Sequence, residues 1–176
     1  GAESGLDRHE LRRRAKIVNY ALLYGKTAFT LAKDIGVSQQ AAQQFIDAYF
    51  AGFPRVRGFI EQTLEDGRKT GMVRTMFGRK RPVPELTSRN GQIRAAAERM
   101  AVNMPIQGTA ADILKRAMID VDRVLAAEAP TSRMILTVHD ELLFEVPAND
   151  AGRVAELVRE TMARGVTLSV PLDVDV

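Results

Sequence analysis

Three polar residues stand between two apolar runs near the carboxyl end of the sequence. His139, Asp140 and Glu141 separate the runs 134–138 and 142–146, and so short a gap predicts a β-hairpin with these residues at its tip. A carboxylate held on rigid strands suits a Mg²⁺ ion, because Mg²⁺ requires near-octahedral oxygen geometry. The same pattern is also typical of an ordinary polar turn on a surface sheet, since Asp is a common turn residue.

A second set of polar residues follows a helical repeat near the amino-terminal end. Arg12, Lys16, Tyr20 and Tyr24 are spaced four apart within 8–24, a run of strong helix formers without Pro or Gly. Four residues turn about 400° on an α-helix, so these side chains form one slowly drifting stripe. Two cations could bind a triphosphate while two rings stack on a base. A surface helix with half-buried Tyr rings explains the spacing equally well.

A third repeat of four lies in the middle of the chain. Arg99, Asn103 and Gln107 recur at this spacing in and just after a predicted helix over 88–104, and Pro105 is expected to interrupt any continuous helix there. Guanidinium and amide groups so placed could contact minor-groove acceptors, which are similar in every base pair. An ordinary polar helix face is the alternative.

The remaining elements must position these three sets. Aromatic residues at core spacing predict that the helices between 27 and 69 are scaffold. Asp7 and Ser38 are predicted helix caps and Gly36 a helix end, and the predicted core face of the helix over 39–51 consists of Ala42, Phe45, Ile46, Tyr49 and Phe50. A basic turn follows these helices. The cations of this candidate phosphate-contacting loop are Arg68, Lys69, Arg74, Arg79, Lys80 and Arg81. The predicted elements are helices over 27–36, 39–51, 54–69, 108–127 and about 150–164, with strands over 72–76 and 170–176 besides the hairpin. Without regular βαβ alternation, this order predicts an α+β fold with a small antiparallel sheet.

The composition is that of a globular domain with an uneven distribution of charge. Residues 1–116 carry 20 Lys/Arg against 11 Asp/Glu, a net +9, whereas residues 117–176 carry 5 against 11, a net −6. A basic part joined to an acidic end indicates contact with a polyanion on one side and metal or base chemistry on the other. The sequence has no cysteine, no apolar run of membrane-spanning length and no signal peptide, so we expect a cytoplasmic protein without membrane partners.

The order of these sets along the chain resembles the A family of DNA polymerases, to which bacterial DNA polymerase I belongs. The resemblance is carried by the basic and aromatic pattern of 12–25, by Val-His-Asp-Glu at 138–141, by RMAVNMPIQGTAADILKRAM at 99–118 and by FGRKRPVPEL at 77–86. Together these motifs are highly specific and cover nearly the whole chain. The resemblance implies template-directed DNA synthesis in replication or repair, in which a primer 3′-hydroxyl attacks the α-phosphate of a dNTP under two Mg²⁺ ions.

The resemblance also implies a role for each set. Arg12 and Lys16 would bind the triphosphate, Tyr20 would stack on the incoming nucleotide, and Tyr24 would stack at the templating position. Many relatives have Phe where this chain has Tyr20, and its hydroxyl could hydrogen-bond near the sugar 3′ position. Four residues are implied to contact the primer–template near its end: Arg99, Asn103, Gln107 and His139. Three residues form the implied catalytic set: Lys16, Asp140 as a metal ligand, and Glu141 in a supporting role.

One part of the family pattern is missing from the sequence. The A family takes a second metal-binding Asp from a motif resembling DYSQIE before the basic helix, and residues 1–176 contain no such motif. Asp140 and Glu141 are neighbours, which point to opposite faces of an extended chain, so one hairpin does not supply both bridging ligands. We therefore expect an excised segment, with a fingers-like region at 1–87 and a palm-like region at 88–176. Such a segment would need the parent's thumb and upstream palm strand, and would not polymerise alone.

Other classes of protein explain parts of the pattern. A single-subunit phage-type RNA polymerase also has an Arg/Lys/Tyr-Gly helix and a His-Asp hairpin, but the VHDE and NMPIQGTAAD sequences favour the DNA enzyme. A non-catalytic module that uses the basic part alone would bind duplexes in a salt-sensitive, metal-independent manner. A purely structural helical domain would bind nothing. Neither of these last two explains why phosphate-binding, stacking and carboxylate signals occur in this order.

Overall fold

The computed structural model describes residues 7–176, except for the side chain of Arg14, so residues 1–6 of the predicted fingers-like region lie outside the described part. Helices dominate it, and four strands form two antiparallel two-stranded sheets, which confirms the α+β class. The elements are α1 (Arg8–Leu23), α2 (Ala28–Ile35), α3 (Gln39–Gly52), α4 (Pro54–Thr70), β1 (Met72–Arg74), β2 (Lys80–Pro82), α5 (Gly91–Glu128), β3 (Arg133–Val138), β4 (Glu141–Glu145) and α6 (Ala151–Arg164), with 3₁₀ turns at Pro84–Thr87 and Ala148–Asp150.

The chain divides into two compact units, Gly1–Gly108 and Thr109–Val176. The boundary falls inside the residue range of α5. A division by compactness does not tell which part of an enzyme each unit forms. The fingers-like region 1–87 and the palm-like region 88–176 therefore stay predictions.

Local signals set the ends of the first three helices as the sequence predicts. The Asp7 carboxylate accepts a hydrogen bond from the His9 amide, and Thr27 and Ser38 each accept one from the amide three residues on. These side chains satisfy amide donors that have no partner within the helix. Gly36 ends α2 with a φ of 67°, in the left-handed region that glycine adopts without steric cost.

The first unit has a core between α1, α2 and α3. Its buried residues are Ala21, Leu22, Ala28, Leu31, Ala32, Ile35 and Ala42. The predicted core face of α3 is confirmed for Ala42 and for Ile46, Tyr49 and Phe50, which pack against this core partly buried. The prediction is wrong for Phe45, whose side chain is 51% exposed. Phe45 lies at the edge of the apolar stripe of α3, and the helix buries only the middle of that stripe.

A second core in the same unit joins α4, the β1–β2 hairpin and α5. Its buried residues are Val73, Val83, Leu86, Ala97, Ala101 and Met104. Gly67 allows α4 to approach this core closely, because a Cβ at that position would stand 2.7 Å from Leu86 Cδ1. The predicted strand over 72–76 is shorter than expected: β1 pairs in antiparallel register with β2, with Val73 opposite Arg81, and the chain then turns through Gly78.

Helix α5 differs from its prediction in two ways. It begins at Gly91 rather than at Ser88, because the Asn90 side chain accepts a hydrogen bond from the Gln92 amide and caps the helix there. It also runs through Pro105 without a break, so the expected interruption is wrong. Proline removes one backbone donor, and we attribute the continuity to the packing of Ala101 and Met104, which are buried just before it.

The second unit consists of the end of α5, the β3–β4 hairpin and α6. Its core contains Val121, Leu125, Ala129, Val154 and Val158, with Phe144 and Met162 packed against it. The predicted hairpin is confirmed, with Val138 opposite Glu141 across a two-residue turn. Apolar runs of this length are typical of buried strands, but here Ile135 and Leu136 are more than half exposed. Among the described strands only β4 pairs with β3, and β3 shows an irregular register between Met134 and Leu136.

The predicted strand over 170–176 does not form in the structure. Leu172 and Val174 are half-buried and alternate with exposed Asp173 and Asp175, which is the burial pattern that the sequence indicates. No strand among residues 7–176 pairs with this segment. A strand needs a hydrogen-bonded neighbour, and the alternation alone did not reveal whether one was present.

Candidate functional site

The predicted stripe of α1 brings one cation and two rings together. The rings of Tyr20 and Tyr24 are stacked, with centroids 6.1 Å apart and planes inclined by 14°. The Lys16 ammonium lies 6.0 Å from the centroid of the Tyr20 ring. Tyr20 is half exposed, so one face of α1 presents a flat aromatic surface with a positive charge at one end. Such a surface can stack a planar base and attract an anion.

A shallow cavity of about 330 Å³ lies along this face. It is lined by Arg13, Lys16, Ile17, Tyr20, Ala21, Tyr24 and Lys26. Sequence analysis assigned no role to two of these residues, Arg13 and Lys26. Both fall outside the four-residue spacing of Arg12, Lys16, Tyr20 and Tyr24, so that pattern gives no signal for them.

The cations around this cavity differ in whether they already have an anionic partner. Arg13 forms two hydrogen bonds with the Glu10 carboxylate, of 2.7 and 2.8 Å, and this contact raises the pKa of Arg13. Lys26 is 2.6 Å from the carboxylate of Asp34. Lys16 has no carboxylate partner among residues 7–176, and neither does Arg12. Of the two cations that the sequence predicts for triphosphate binding, Lys16 lines the cavity and Arg12 does not.

The central repeat meets the aromatic end of α1 inside the first unit. The Gln107 amide donates a long hydrogen bond of 3.5 Å to the Tyr24 hydroxyl, and the Asn103 amide donates to the Gln107 side-chain oxygen at 2.7 Å. A Cβ on Gly25 would stand 3.4 Å from Arg99 Cγ, so Arg99 packs beside the turn that ends α1. The sequence predicted these two sets separately, and the structure places them in contact.

One atom of this network is unusual for a folded chain. Asn103 Oδ1 is buried and has no hydrogen-bond partner among the described residues. A buried acceptor without a donor is costly, since it loses its contact with water and gains nothing in return. An external donor, such as an amino group of a base or a bound water, would satisfy it. Asn103 therefore offers an unused acceptor within this row of residues.

The basic turn of the first unit is partly used within the protein. The Arg79 guanidinium donates to the Gly108 carbonyl at 2.7 Å, and Arg68 is 2.6 Å from Glu98. Lys69 is 2.6 Å from Glu65, and this hydrogen bond raises the pKa of Lys69. Arg79 thus links the basic turn to α5, Arg68 links α4 to α5, and the Lys69 pair lies within α4. Within the part of the chain that the structure describes, Arg74, Lys80 and Arg81 form no ion pair, and the phosphate-contacting role of the whole loop stays a prediction.

The tip of the β3–β4 hairpin exposes the predicted catalytic carboxylates. Asp140 and Glu141 are both exposed, and neither forms an ion pair with a described residue. His139 has a φ of 57°, which makes it the one non-glycine residue with a left-handed backbone among residues 7–176. Asp and Glu oxygens without a cationic partner are the ligands that Mg²⁺ prefers. No group of three or more His, Asp or Glu residues with metal-binding geometry occurs in the described part of the chain.

Residues 4–176 match the model of DNA polymerase family A, so this chain belongs to that family of nucleic-acid-copying enzymes. It is 49% identical over 166 residues to the thermostable DNA polymerase I of Thermus aquaticus. This match covers 94% of this chain and 20% of that protein. It is 45% identical over 165 residues to DNA polymerase I of Bacillus caldotenax, with 94% of this chain and 19% of that protein covered. The chain thus spans roughly a fifth of the length of these curated relatives.

A solved structure supports the same assignment. The fold is similar to the POL domain of Pol1 from M. smegmatis, in complex with DNA primer-template and dNTP, with a TM-score of 0.88 and 46% identity. This match covers 93% of the present chain and 29% of the other. Membership of the DNA polymerase family favours the DNA enzyme over the RNA polymerase, the non-catalytic module and the structural domain. No described helix has both the length and the apolarity that a membrane crossing requires.

Proposed function

We propose that this chain is the part of a DNA polymerase that binds the incoming dNTP and the end of the primer–template. The parent enzyme would join the primer 3′-oxygen to the α-phosphorus of the dNTP. The bond between the α-phosphorus and the oxygen that bridges to the β-phosphate would break, pyrophosphate would leave, and the proton of the 3′-hydroxyl would pass to water. The single observation that supports this best is the continuous row from Lys16 through Tyr20 and Tyr24 to Gln107 and Asn103. A cation, two stacked rings and two amides follow in the order that a triphosphate, a base and a base-pair edge require.

The basic end of the row would bind the triphosphate. Arg12 and Lys16 have no carboxylate to neutralise them within the described residues, so both charges are available to phosphate oxygens. Lys16 would also favour the pyrophosphate leaving group, because charge on the transferred phosphate and leaving oxygens is stabilised by fixed cations. Tyr20 would stack on the incoming base, and its hydroxyl would lie near the sugar 3′ position.

The amide end of the row would contact the primer–template. Tyr24 would stack at the templating position, supported by its contact with Gln107. Arg99, Asn103 and Gln107 would contact base edges and sugars in the minor groove, where the acceptors are alike in every base pair. Contacts of this kind would hold any correctly paired primer end without selecting its sequence. His139 would contact the primer terminus from the hairpin.

The hairpin would supply one carboxylate ligand for Mg²⁺. Asp140 would hold the ion, and Glu141 would support it from the next position on the strand. Bound Mg²⁺ ions would neutralise the developing charge on the phosphate oxygens and lower the pKa of the primer hydroxyl. The described residues offer too few ligands for two ions, so the rest would come from the remainder of the polymerase chain, which would include a thumb and an upstream palm strand. We expect the 176-residue chain alone to extend no primer, and the whole enzyme to act in the cytoplasm.

The triphosphate role can be tested in the parent polymerase by comparing two cations of one cavity. Lys16→Ala should raise the KM for dNTP and lower kcat/KM by about tenfold or more, since a charge-assisted hydrogen bond contributes roughly 1.5–3 kcal/mol. Arg13→Ala is the matched control, because Arg13 lines the same cavity but is already paired with Glu10. Equal losses in both variants would contradict the proposed role of Lys16.

A further inference from the structure

An aromatic surface at the junction of α3 and α4 has no role in the site described above. The ring of Tyr49 makes an edge contact with Phe50, with centroids 5.4 Å apart, and a tilted contact with Phe53 at 5.1 Å. The Arg57 guanidinium lies 4.8 Å above the ring of Phe50. Phe53 immediately precedes α4, and Arg57 lies in the first turn of that helix. We call these four residues the junction platform.

Core packing explains only the inner part of the junction platform. Tyr49 and Phe50 are partly buried against the core of the first three helices, as the sequence predicts for scaffold residues. Phe53 belongs to none of the described cores and is 57% exposed. Arg57 has no carboxylate partner among the described residues, so its charge is uncompensated. The platform therefore presents the accessible Phe53 ring and, over the Phe50 ring of the same cluster, a guanidinium without a carboxylate partner among the described residues.

This combination matches the chemistry of single-stranded nucleic acid. An unpaired base has an exposed π-face that stacks on an aromatic ring, and its phosphate is attracted by a nearby Arg. A duplex cannot use an outward-facing ring in this way, because its bases are already stacked inside the helix. An acidic protein partner would use the guanidinium but would have no need for the ring.

We propose that the junction platform binds the unpaired template strand ahead of the templating position. This inference rests on the proposed function, since a polymerase has single-stranded template only on that side of the site. Tyr49 and Phe50 pack against the same core as Ala21 and Leu22 of α1, so this core supports both the platform and the helix that carries Tyr24. One base would stack on Phe53, and Arg57 would contact the adjacent phosphate.

The test compares two primer–templates bound by the parent polymerase. One has a single unpaired template nucleotide, and the other has about ten, within the roughly 4–16 nucleotides that such surfaces cover. The wild-type enzyme should bind the long overhang more tightly. Phe53→Leu, which keeps an apolar side chain but removes the ring, should reduce that gain by about fivefold or more, whereas Phe53→Tyr should retain it. Binding of the short overhang should not change in either variant.

Three further variants separate stacking from charge and from general surface effects. Phe45→Leu is the matched control, because Phe45 lies on α3, is 51% exposed and makes no described ring or cation contact; it should leave the gain intact. Arg57→Gln should reduce the salt dependence for the long overhang by about 0.7 in the slope of log K against log salt, and Arg57→Lys should not.

The outcomes distinguish the platform from the proposed function. Equal affinity of the wild type for both overhangs, or a full gain in Phe53→Leu, would overturn the platform and would indicate that other parts of the polymerase cover this surface. Failure of the wild type to bind even the short-overhang primer–template would overturn the proposed function, and the platform with it.

Discussion

The row of residues on α1 and α5 and the tip of the β3–β4 hairpin differ in how far the chain itself organises them. In the row, Tyr24, Gln107 and Asn103 are joined by hydrogen bonds, and Tyr20 is stacked on Tyr24. At the hairpin tip, Asp140 is exposed and has no cationic partner among the described residues. The comparison shows that the proposed binding row is held by contacts within the chain, whereas the proposed metal ligand has no such contact among the described residues.

The largest effect is expected at the carboxylate. In the parent polymerase, Asp140→Asn should lower kcat by about a thousandfold or more, because it removes a ligand for an ion that stabilises the transition state. Binding of primer–template should be retained, since the row on α1 and α5 is untouched. Glu145→Gln, an exposed carboxylate on the same hairpin, is the control and should retain activity. A residual kcat close to that of wild type in Asp140→Asn would remove the catalytic role of the hairpin.

A substantial effect on stability is expected from the close approach of α4 to its core. Gly67→Ala should be less stable than Gly58→Ala by about 1–3 kcal/mol, because its Cβ would stand 2.7 Å from Leu86 Cδ1 and 3.3 Å from Val73 Cγ1. Gly58 is on the same helix and has open space around it, so the gain in helix propensity is shared by both variants. Chemical denaturation measures the difference. Equal stabilities would mean that the first unit is packed less tightly than the structure indicates.

A moderate effect is expected at the sugar of the incoming nucleotide. We expect Tyr20→Phe to increase discrimination against 3′-deoxy nucleotides by about two- to tenfold, since one hydrogen bond contributes roughly 0.5–1.5 kcal/mol. The measurement is the ratio of kcat/KM for dNTP and for the 3′-deoxy analogue in the parent enzyme. The same ratio in wild type and Tyr20→Phe would exclude a hydroxyl contact near the 3′ position.

The smallest effect is expected at an exposed ion pair on α4. The hydrogen bond from Lys69 and its charge lower the pKa of Glu65. A carboxylate with a lowered folded-state pKa stabilises the fold above its unfolded pKa, about 4.3, and loses this contribution as the pH falls through the folded value. Lys69→Met should therefore lower the Tm slightly near neutral pH, and this difference should vanish on acidification. A difference that grows in acid would contradict the sign of this linkage.

Signals confined to a few neighbouring residues were predictable from the sequence. The caps at Asp7, Thr27 and Ser38 and the left-handed Gly36 require only local chemistry, and they fixed the helix ends within a residue or two. The four-residue repeats likewise placed Lys16, Tyr20 and Tyr24 on one face without knowledge of the fold, because helical geometry alone brings them together.

Features that depend on distant packing were not predictable. The low helix propensity of proline predicted a break at Pro105. No local sequence signal indicated that α5 would continue through it. The alternation over 170–176 could not show whether a partner strand was present. The exposure of Phe53 likewise depends on which helices cover it. The contact between Tyr24 and Gln107 joins residues far apart in the chain. The sequence therefore predicted each four-residue repeat separately but not the contact between them.

The most direct test is whether Lys16 and the ion held by Asp140 bind the same incoming nucleotide. A crystal structure of the parent polymerase with primer–template, a non-hydrolysable dNTP analogue and Mg²⁺ would answer this. The account predicts that the Lys16 ammonium contacts the triphosphate while the Asp140 carboxylate coordinates a Mg²⁺ ion bound to that same nucleotide. A structure in which the nucleotide contacts only one of these two residues, with the other facing away, would contradict it.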